Sequence, residues 1–447
     1  MTTDARRDPG DCLAFGFGSA VCMWGAAYVC HLPGLATPSA LVFSLLVAIM
    51  LAAGVACGAF TARGWRGGLF AGLVAGALNL LVVGSVIGQA RDGMLRAALA
   101  WIPGSLGLTA LVMACGAVVG ARLRTAARGA RRPAFDNWPL AFAAVAALAT
   151  LLLLSVGGVV TGYEAGLAVP DWPNTYGANM FLYPLARMTG GIYYEHAHRL
   201  FGALVGLTTL ALAAYTQWVD RRGWAPILAW VAFLLVCCQG VLGGLRVTGR
   251  FTLSESAADL SPNLTLAMLH GVLAQVFFST LCVLTLVQTR AWREWAAPLP
   301  RASAGLDFAA GLVTVAVLLL QLVFGAVLRH TASGLHLHLG FAGVAAVVAG
   351  GFGFRAWGRY EDVPILPRLG AALLALLGAQ LLLGFAALGV TMMETGLAPA
   401  IQALVTTAHQ TTGAALLACS VCATLWLRRA VAPVAGKQAP QGLERAV

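Results

Sequence analysis

Long apolar runs separated by short polar ones set the pattern of this chain. The runs fall near 12–30, 38–61, 68–89, 96–121, 137–158, 193–217, 225–245, 264–288, 306–328, 334–354, 368–390 and 399–427. Each approaches or exceeds the roughly 20 helical residues that cross a hydrocarbon core, which predicts an all-α integral membrane protein with about 12 transmembrane helices. A polar, arginine-rich linker at 122–136 separates the first four runs from the last eight. The first run lacks a convincing signal-peptide cleavage site and is long enough to span, so it reads as a retained helix.

The last eight runs contain an internal repeat. GGVVTGYEAGL (157–167) aligns with GAVLRHTASGL (325–335), and HAHRLFGAL (196–204) with HLHLGFAGV (336–344). CQGVLGGLRV (238–247) aligns with AQLLLGFAAL (379–388), and AMLHGVLA (267–274) with TTAHQTTG (406–413). His198 thus pairs with His338 and His270 with His409, at offsets of 140 and 139. Two tandem four-helix units follow, divided here as 133–300 and 301–430. They are preceded by a four-helix membrane region at 1–132 and followed by a polar tail at 431–447. Only the first unit has a long connection after its first helix, 159–192 against 329–333.

All four of these histidines lie on spans that run in the same direction, roughly 8–16 Å below the same membrane face. A single membrane histidine is by default an interhelical hydrogen-bonding group. Two per unit, on different helices at matching depth, suit the axial ligation of an iron porphyrin. Zinc fits less well, because each unit offers two such ligands without a nearby cysteine or second carboxylate. His196 and His336 also repeat, but stand about 200° around the helix from the ligand direction, and so read as interfacial. His330 and His31 sit at helix ends and read as solvated.

Composition and charge sharpen this picture. The chain is 60% hydrophobic and 10% charged, with a net charge of +11. Its arginines gather at the ends of apolar runs, in 122–132, 218–224, 290–301 and 428–437. An even number of spans puts these loops on one side with both termini, which the positive-inside rule assigns to the cytoplasm. No basic stripe interleaved with aromatics points to nucleic acid. The ten cysteines lie almost wholly in apolar runs and outline no disulfide framework. Gly68, Gly72 and Gly76 recur every four residues, a spacing that lets helix backbones approach closely.

Glu195 breaks the repeat. It lies three residues before His198, on the same helical face, and its counterpart is Leu335. An acidic side chain at the membrane centre costs about 2.5–3.5 kcal/mol, so such a residue is a functional candidate. The plainer reading is a helix-start carboxylate favoured by the dipole. Arg199 lies about 100° from His198 and is placed to bridge helices. Arg246 and Arg329, at span ends, are placed to meet haem propionates or lipid headgroups.

At these residues the chain resembles the heme A synthase family. The resemblance is carried by GGxxT with a following GL (157–167), E-x-x-H-R (195–199), RHTxSGL (329–335) and the paired histidines, over roughly 137–428. It implies two four-helix bundles related by pseudo-twofold symmetry. It implies oxidation of a methyl substituent of heme O to a formyl group, giving heme A for terminal oxidases in the cell inner (plasma) membrane. His198 and His270 would ligate the substrate haem, His338 and His409 a permanent heme b, and Glu195 would be the catalytic carboxylate. Heme O synthase and terminal oxidase assembly factors would be partners, and a homo-oligomer stays open. The cysteine pair that many bacterial members carry in an outward loop of the first unit has no counterpart in 159–192, and the first four spans lie outside the family core. A diheme b-type membrane cytochrome that only transfers electrons is the alternative. Glu195 and the long loop favour the enzyme.

Overall fold

A computed structural model describes residues 8–90, 93–128, 135–249, 263–392 and 399–434. Arg131 and Arg132, most of the 246–263 and 391–398 connections, and the tail from 435 onward lie outside the described residues. The described helices are α1 (Gly10–Cys30), α2 (Ser39–Phe60), α3 (Trp65–Gln89), α4 (Met94–Arg128), α5 (Trp138–Gly162), α6 (Gly190–Val219), α7 (Trp224–Thr248), α8 (Leu264–Val287), α9 (Arg290–Glu294), α10 (Ala304–Thr331), α11 (Leu335–Arg359), α12 (Ile365–Met392) and α13 (Pro399–Ala430). Among the described residues, all but the short α9 are long and apolar enough to cross a membrane, giving 12 candidate spans and a multi-pass membrane protein.

The helices extend beyond several of the apolar runs. α4 continues through Arg122 and Arg124, where Arg124 donates to the Thr61 carbonyl. α5 runs past residue 158 because Thr161 returns its hydroxyl to the Gly157 carbonyl at 3.0 Å, which satisfies it inside the helix. Hydropathy marks the apolar slab, whereas the helix ends where its caps do. Asn137 caps α5 by accepting from the Leu140 N–H at 3.3 Å, with Pro139 in the first turn, where a missing N–H costs little.

Helices α5 to α8 pack each on the next, and α8 returns to α5. Helices α10 to α13 close in the same way. The two rings meet through α5 and α8 against α10 and α13. At this seam Gly158 and Gly162 of α5 face Thr407 and Ala403 of α13, where added Cβ atoms would come within 2.8 and 2.7 Å. Side chains larger than hydrogen would part the rings.

The first four helices pack on one another, and α1 also packs on α5 and α6. Gly68, Gly72 and Gly76 of α3 lie against α4 backbone and side chains between Leu106 and Ala117, the close approach their spacing predicts. A continuous apolar core joins this group to the first ring, including Phe17, Phe142, Leu204 and Leu281. At the far end of α6 from Glu195, buried Asp220 ties the ring together. It accepts from Arg222 Nη2 at 2.6 Å and from Gln288 Nε2 at 3.1 Å.

Candidate functional site: two facing histidine pairs and a roofed carboxylate

Each ring brings its two histidines opposite one another. The rings of His198 on α6 and His270 on α8 have centroids 6.4 Å apart and planes at 81°. Those of His338 on α11 and His409 on α13 are 6.5 Å apart, also at 81°. Two imidazoles on opposite sides of one metal, with metal–nitrogen bonds of about 2.0 Å, put their centroids roughly 6 Å apart. The spacing therefore leaves room for one metal ion between the two imidazoles of each pair. Buried Nδ1 atoms of His198, His270 and His409 find no hydrogen-bond partner among the described residues. Among those residues no three His, Cys, Asp or Glu side chains converge on a common metal position.

A glycine on a neighbouring helix backs each histidine. An added Cβ at Gly157 would lie 3.0 Å from His198 Cε1, and one at Gly243 3.5 Å from His270 Cε1. The corresponding distances are 3.1 Å at Gly325 to His338 and 3.0 Å at Gly384 to His409. These glycines are partners in the aligned repeat, 157 with 325 and 243 with 384, but their role was not read from the sequence. Three of them follow a glutamine by four residues. Gln239 Nε2 donates to the His270 carbonyl at 3.2 Å, and Gln321 Nε2 donates to the His338 carbonyl at 3.1 Å. Gln380 Nε2 stands 3.4 Å from His409 Nε2. The fourth place, beside His198, is Leu153. A repeated Q-x-x-x-G would have been the signal for all of this.

Glu195 is buried, at 6% exposure, and pairs with Arg199 one turn along α6, Nε to Oε1 at 3.0 Å. Arg199 does not bridge helices as expected; beyond Glu195 on its own helix it reaches the α5–α6 loop. Its Nη1 donates to the carbonyls of Asp171 at 2.7 Å and Asn174 at 3.0 Å, and its Nη2 to that of Val169 at 2.8 Å. Tyr194, next to Glu195, stacks on Tyr163 with centroids 4.5 Å apart.

The loop between α5 and α6 is folded. Two-residue strands β1 (Asn174–Thr175) and β2 (Ala178–Asn179) pair antiparallel around Tyr176 and Gly177. Both turn residues have positive φ, 49° and 75°, as a tight hairpin turn requires. Asp171 accepts from the N–H groups of both at 2.8 Å. Burial pushes the Asp171 carboxyl up, but these backbone donors and nearby Arg199 hold it below the usual carboxylate range. Trp172 reaches across to α7, where an added Cβ on Gly244 would come within 2.6 Å of its Cε3. The loop thus spans from Arg199, next to His198, to Gly244, next to the glycine that backs His270.

His196 corrects an expectation. It was read as interfacial with His336, but it is fully buried under the loop, its Nδ1 3.1 Å from Thr175 Oγ1. Tyr183 covers it with ring centroids 5.2 Å apart. His336, under a three-residue connection, is exposed. His330 is not freely solvated either. It is half-buried and within electrostatic range of Arg246 and His270. His31 is exposed and bonds through Nδ1 to the Ala27 carbonyl at 2.8 Å.

Arg246 lies against Gly166, where an added Cβ would be 2.6 Å from its Nη2. Its buried Nε has no partner among the described residues. Its charge is felt at Glu195, His198, His270 and His330. Arg329 is exposed and donates to the Thr161 carbonyl across the seam between the rings.

Residues 140–340 match the family model described as cytochrome oxidase assembly protein (COX15-CtaA). That span holds Glu195, His198, His270 and His338, and ends before His409. No curated protein matches the chain.

Proposed function

We propose that the protein is a heme A synthase, a membrane oxidoreductase that converts the methyl substituent of heme O to the formyl group of heme A during assembly of a cytochrome oxidase. Cytochrome oxidase assembly is the role carried by the family match over 140–340. The specific reaction rests on one observation above the others. Two histidine pairs of equal geometry exist, but among the described residues only one has a buried carboxylate beside it and a folded loop next to it.

In this reading His198 and His270 hold heme O as substrate, and His338 and His409 hold a resident heme b. The porphyrin iron supplies the redox chemistry when bound. The chain's own residues do the remainder. Glu195 Oε1 is held by Arg199, and among the described residues Oε2 has no hydrogen-bond partner, which leaves it available to take a proton from water at the reacting carbon. The loop excludes bulk water and so strengthens every charge interaction beneath it. Arg246, whose buried Nε has no partner among the described residues, and Arg329 are suited to propionates. The loop side of the membrane is then the outer one, with both termini cytoplasmic in an inner (plasma) membrane, and heme O synthase and oxidase assembly factors are the expected partners.

The test is co-expression with an enzyme that makes heme O, followed by extraction and chromatography of the haems. Heme A appearing only with the intact chain supports the synthase. Purified protein carrying two b-type haems with no heme A formed leaves the diheme electron-transfer cytochrome in its place.

A further inference from the structure

The loop that roofs Glu195 is held from two sides. Arg199 and His196 grip its first half from below, through the carbonyls of Val169, Asp171 and Asn174 and the hydroxyl of Thr175. Its second half rests on α3. The backbone of Met180–Leu182 lies on the upper end of that helix, where the Phe181 and Leu182 carbonyls fill the places that Cβ atoms on Gly84 and Gly88 would take. Gln89, with its amide oxygen turned to the loop, accepts from the N–H groups of Leu185 and Ala186 at 3.2 Å each. α1 provides a second footing. Tyr28 stacks on Tyr193 with centroids 5.5 Å apart, and Tyr193 donates its hydroxyl to the Tyr28 carbonyl at 2.6 Å. Tyr193 stands two residues before Glu195.

The glycines of α3 therefore do two jobs, on two sides of the helix. Gly68, Gly72 and Gly76 seat it on α4, and Gly84 and Gly88 seat the loop on it. Backbone resting on backbone leaves no side chain to rotate away, so the height of the loop follows the position of α3 closely. From Met180–Leu182 the path to the site is short. β2 adjoins it, β1 pairs with β2, Thr175 of β1 contacts His196, and the Asn174 carbonyl accepts from Arg199. Arg199 in turn holds Glu195.

We infer that helices α1–α4 form a brace that sets the closed position of the 163–189 loop, and through it the placement of Arg199 and Glu195 beside the His198–His270 pair. Gly84, Gly88 and Gln89 are positioning residues. The brace is read from contacts alone; its consequence for turnover rests on the function proposed above.

The experiment compares the full-length protein in detergent with Gly88→Leu and Gln89→Ala. Gly107→Leu, an added side chain with nothing within 4 Å, serves as the control. Amide hydrogen exchange over the loop is read by mass spectrometry, with haem content and the midpoint potential of each haem. In both test variants, exchange within 165–189 should accelerate roughly tenfold while α5–α8 stay protected and both haems stay bound. The potential of the haem on His198–His270 should shift, and that of the His338–His409 haem should not. Gly107→Leu should match the parent. Because Gln89→Ala removes only an acceptor, it keeps the test valid should Gly88→Leu fail to fold. Unchanged loop exchange in a folded variant overturns the brace. Faster exchange with an unshifted potential overturns its hold on the site. If the parent forms no heme A, the synthase reading falls, but exchange and potential still decide the brace.

Discussion

Arg199 donates to Glu195 Oε1 at 3.0 Å, while its two other nitrogens hold three backbone carbonyls of the loop above. One guanidinium therefore couples the buried carboxylate of the site to the folded connection between α5 and α6. Its fork geometry suits this work in a way that a lysine ammonium cannot reproduce.

Replacing Glu195 with glutamine preserves size and removes the charge. Haem content should stay at the parent level, and heme A formation should fall by about 10²–10⁴-fold, the range for loss of a positioned acid–base group. Extraction and chromatography of haems from co-expressing cells checks both. Full heme A production by this variant would remove Glu195 from the chemistry.

Arg199→Lys keeps a positive charge near Glu195 but gives up most of the carbonyl contacts. Hydrogen bonds to charged groups contribute about 1.5–3 kcal/mol each, so the loop should open locally while the helices stay folded. Limited proteolysis should cut within 165–189 faster than in the parent. Equal cleavage would mean that the loop is held by other contacts.

Gly157→Val should empty the first haem position and leave the second, because the added side chain pushes against His198. Gly325→Val should do the reverse through His338. His338→Leu should also lose one haem. Haem per protein, measured as the pyridine complex, should fall to about half in each single variant if one pair holds one iron. A count unchanged in all three would refute the ligand assignment.

Acid sensitivity should appear at the other end of α6. Burial raises the Asp220 carboxyl, but hydrogen bonds from Arg222 and Gln288 outweigh it and hold the group at about 2. A carboxyl lowered on folding stabilises the fold above its unfolded value, and that contribution is lost as pH falls toward the folded value. Asp220→Asn should therefore lower the unfolding temperature at pH 7. The difference from the parent should shrink as the pH falls from about 4 to about 2. A constant difference across that window would show that Asp220 acts by packing instead.

The helices were legible because lipid imposes a long apolar length that few other constraints imitate. The histidine pairs were legible because a duplication writes the same spacing twice, so that His198 with His270 could be checked against His338 with His409. Arg199 was expected to bridge helices, but its partners beyond Glu195 are loop backbone carbonyls, and a carbonyl leaves no mark on residue identity. His196 was misplaced for a related reason. Helical periodicity gave its direction correctly, but the loop that buries it folds through turn geometry at Tyr176 and Gly177, which no repeat reports. The glycines behind the histidines were in plain view within aligned segments; their meaning needed the neighbouring helix.

Those four glycines have a consequence for how the two halves can differ. One side of each paired imidazole is gauged by main chain, so on that side exchange of nearby side chains does not reach the ring. One half can carry Glu195, an arginine fork and a roof, the other a bare three-residue link, and the jaws still stand 6.4 and 6.5 Å apart.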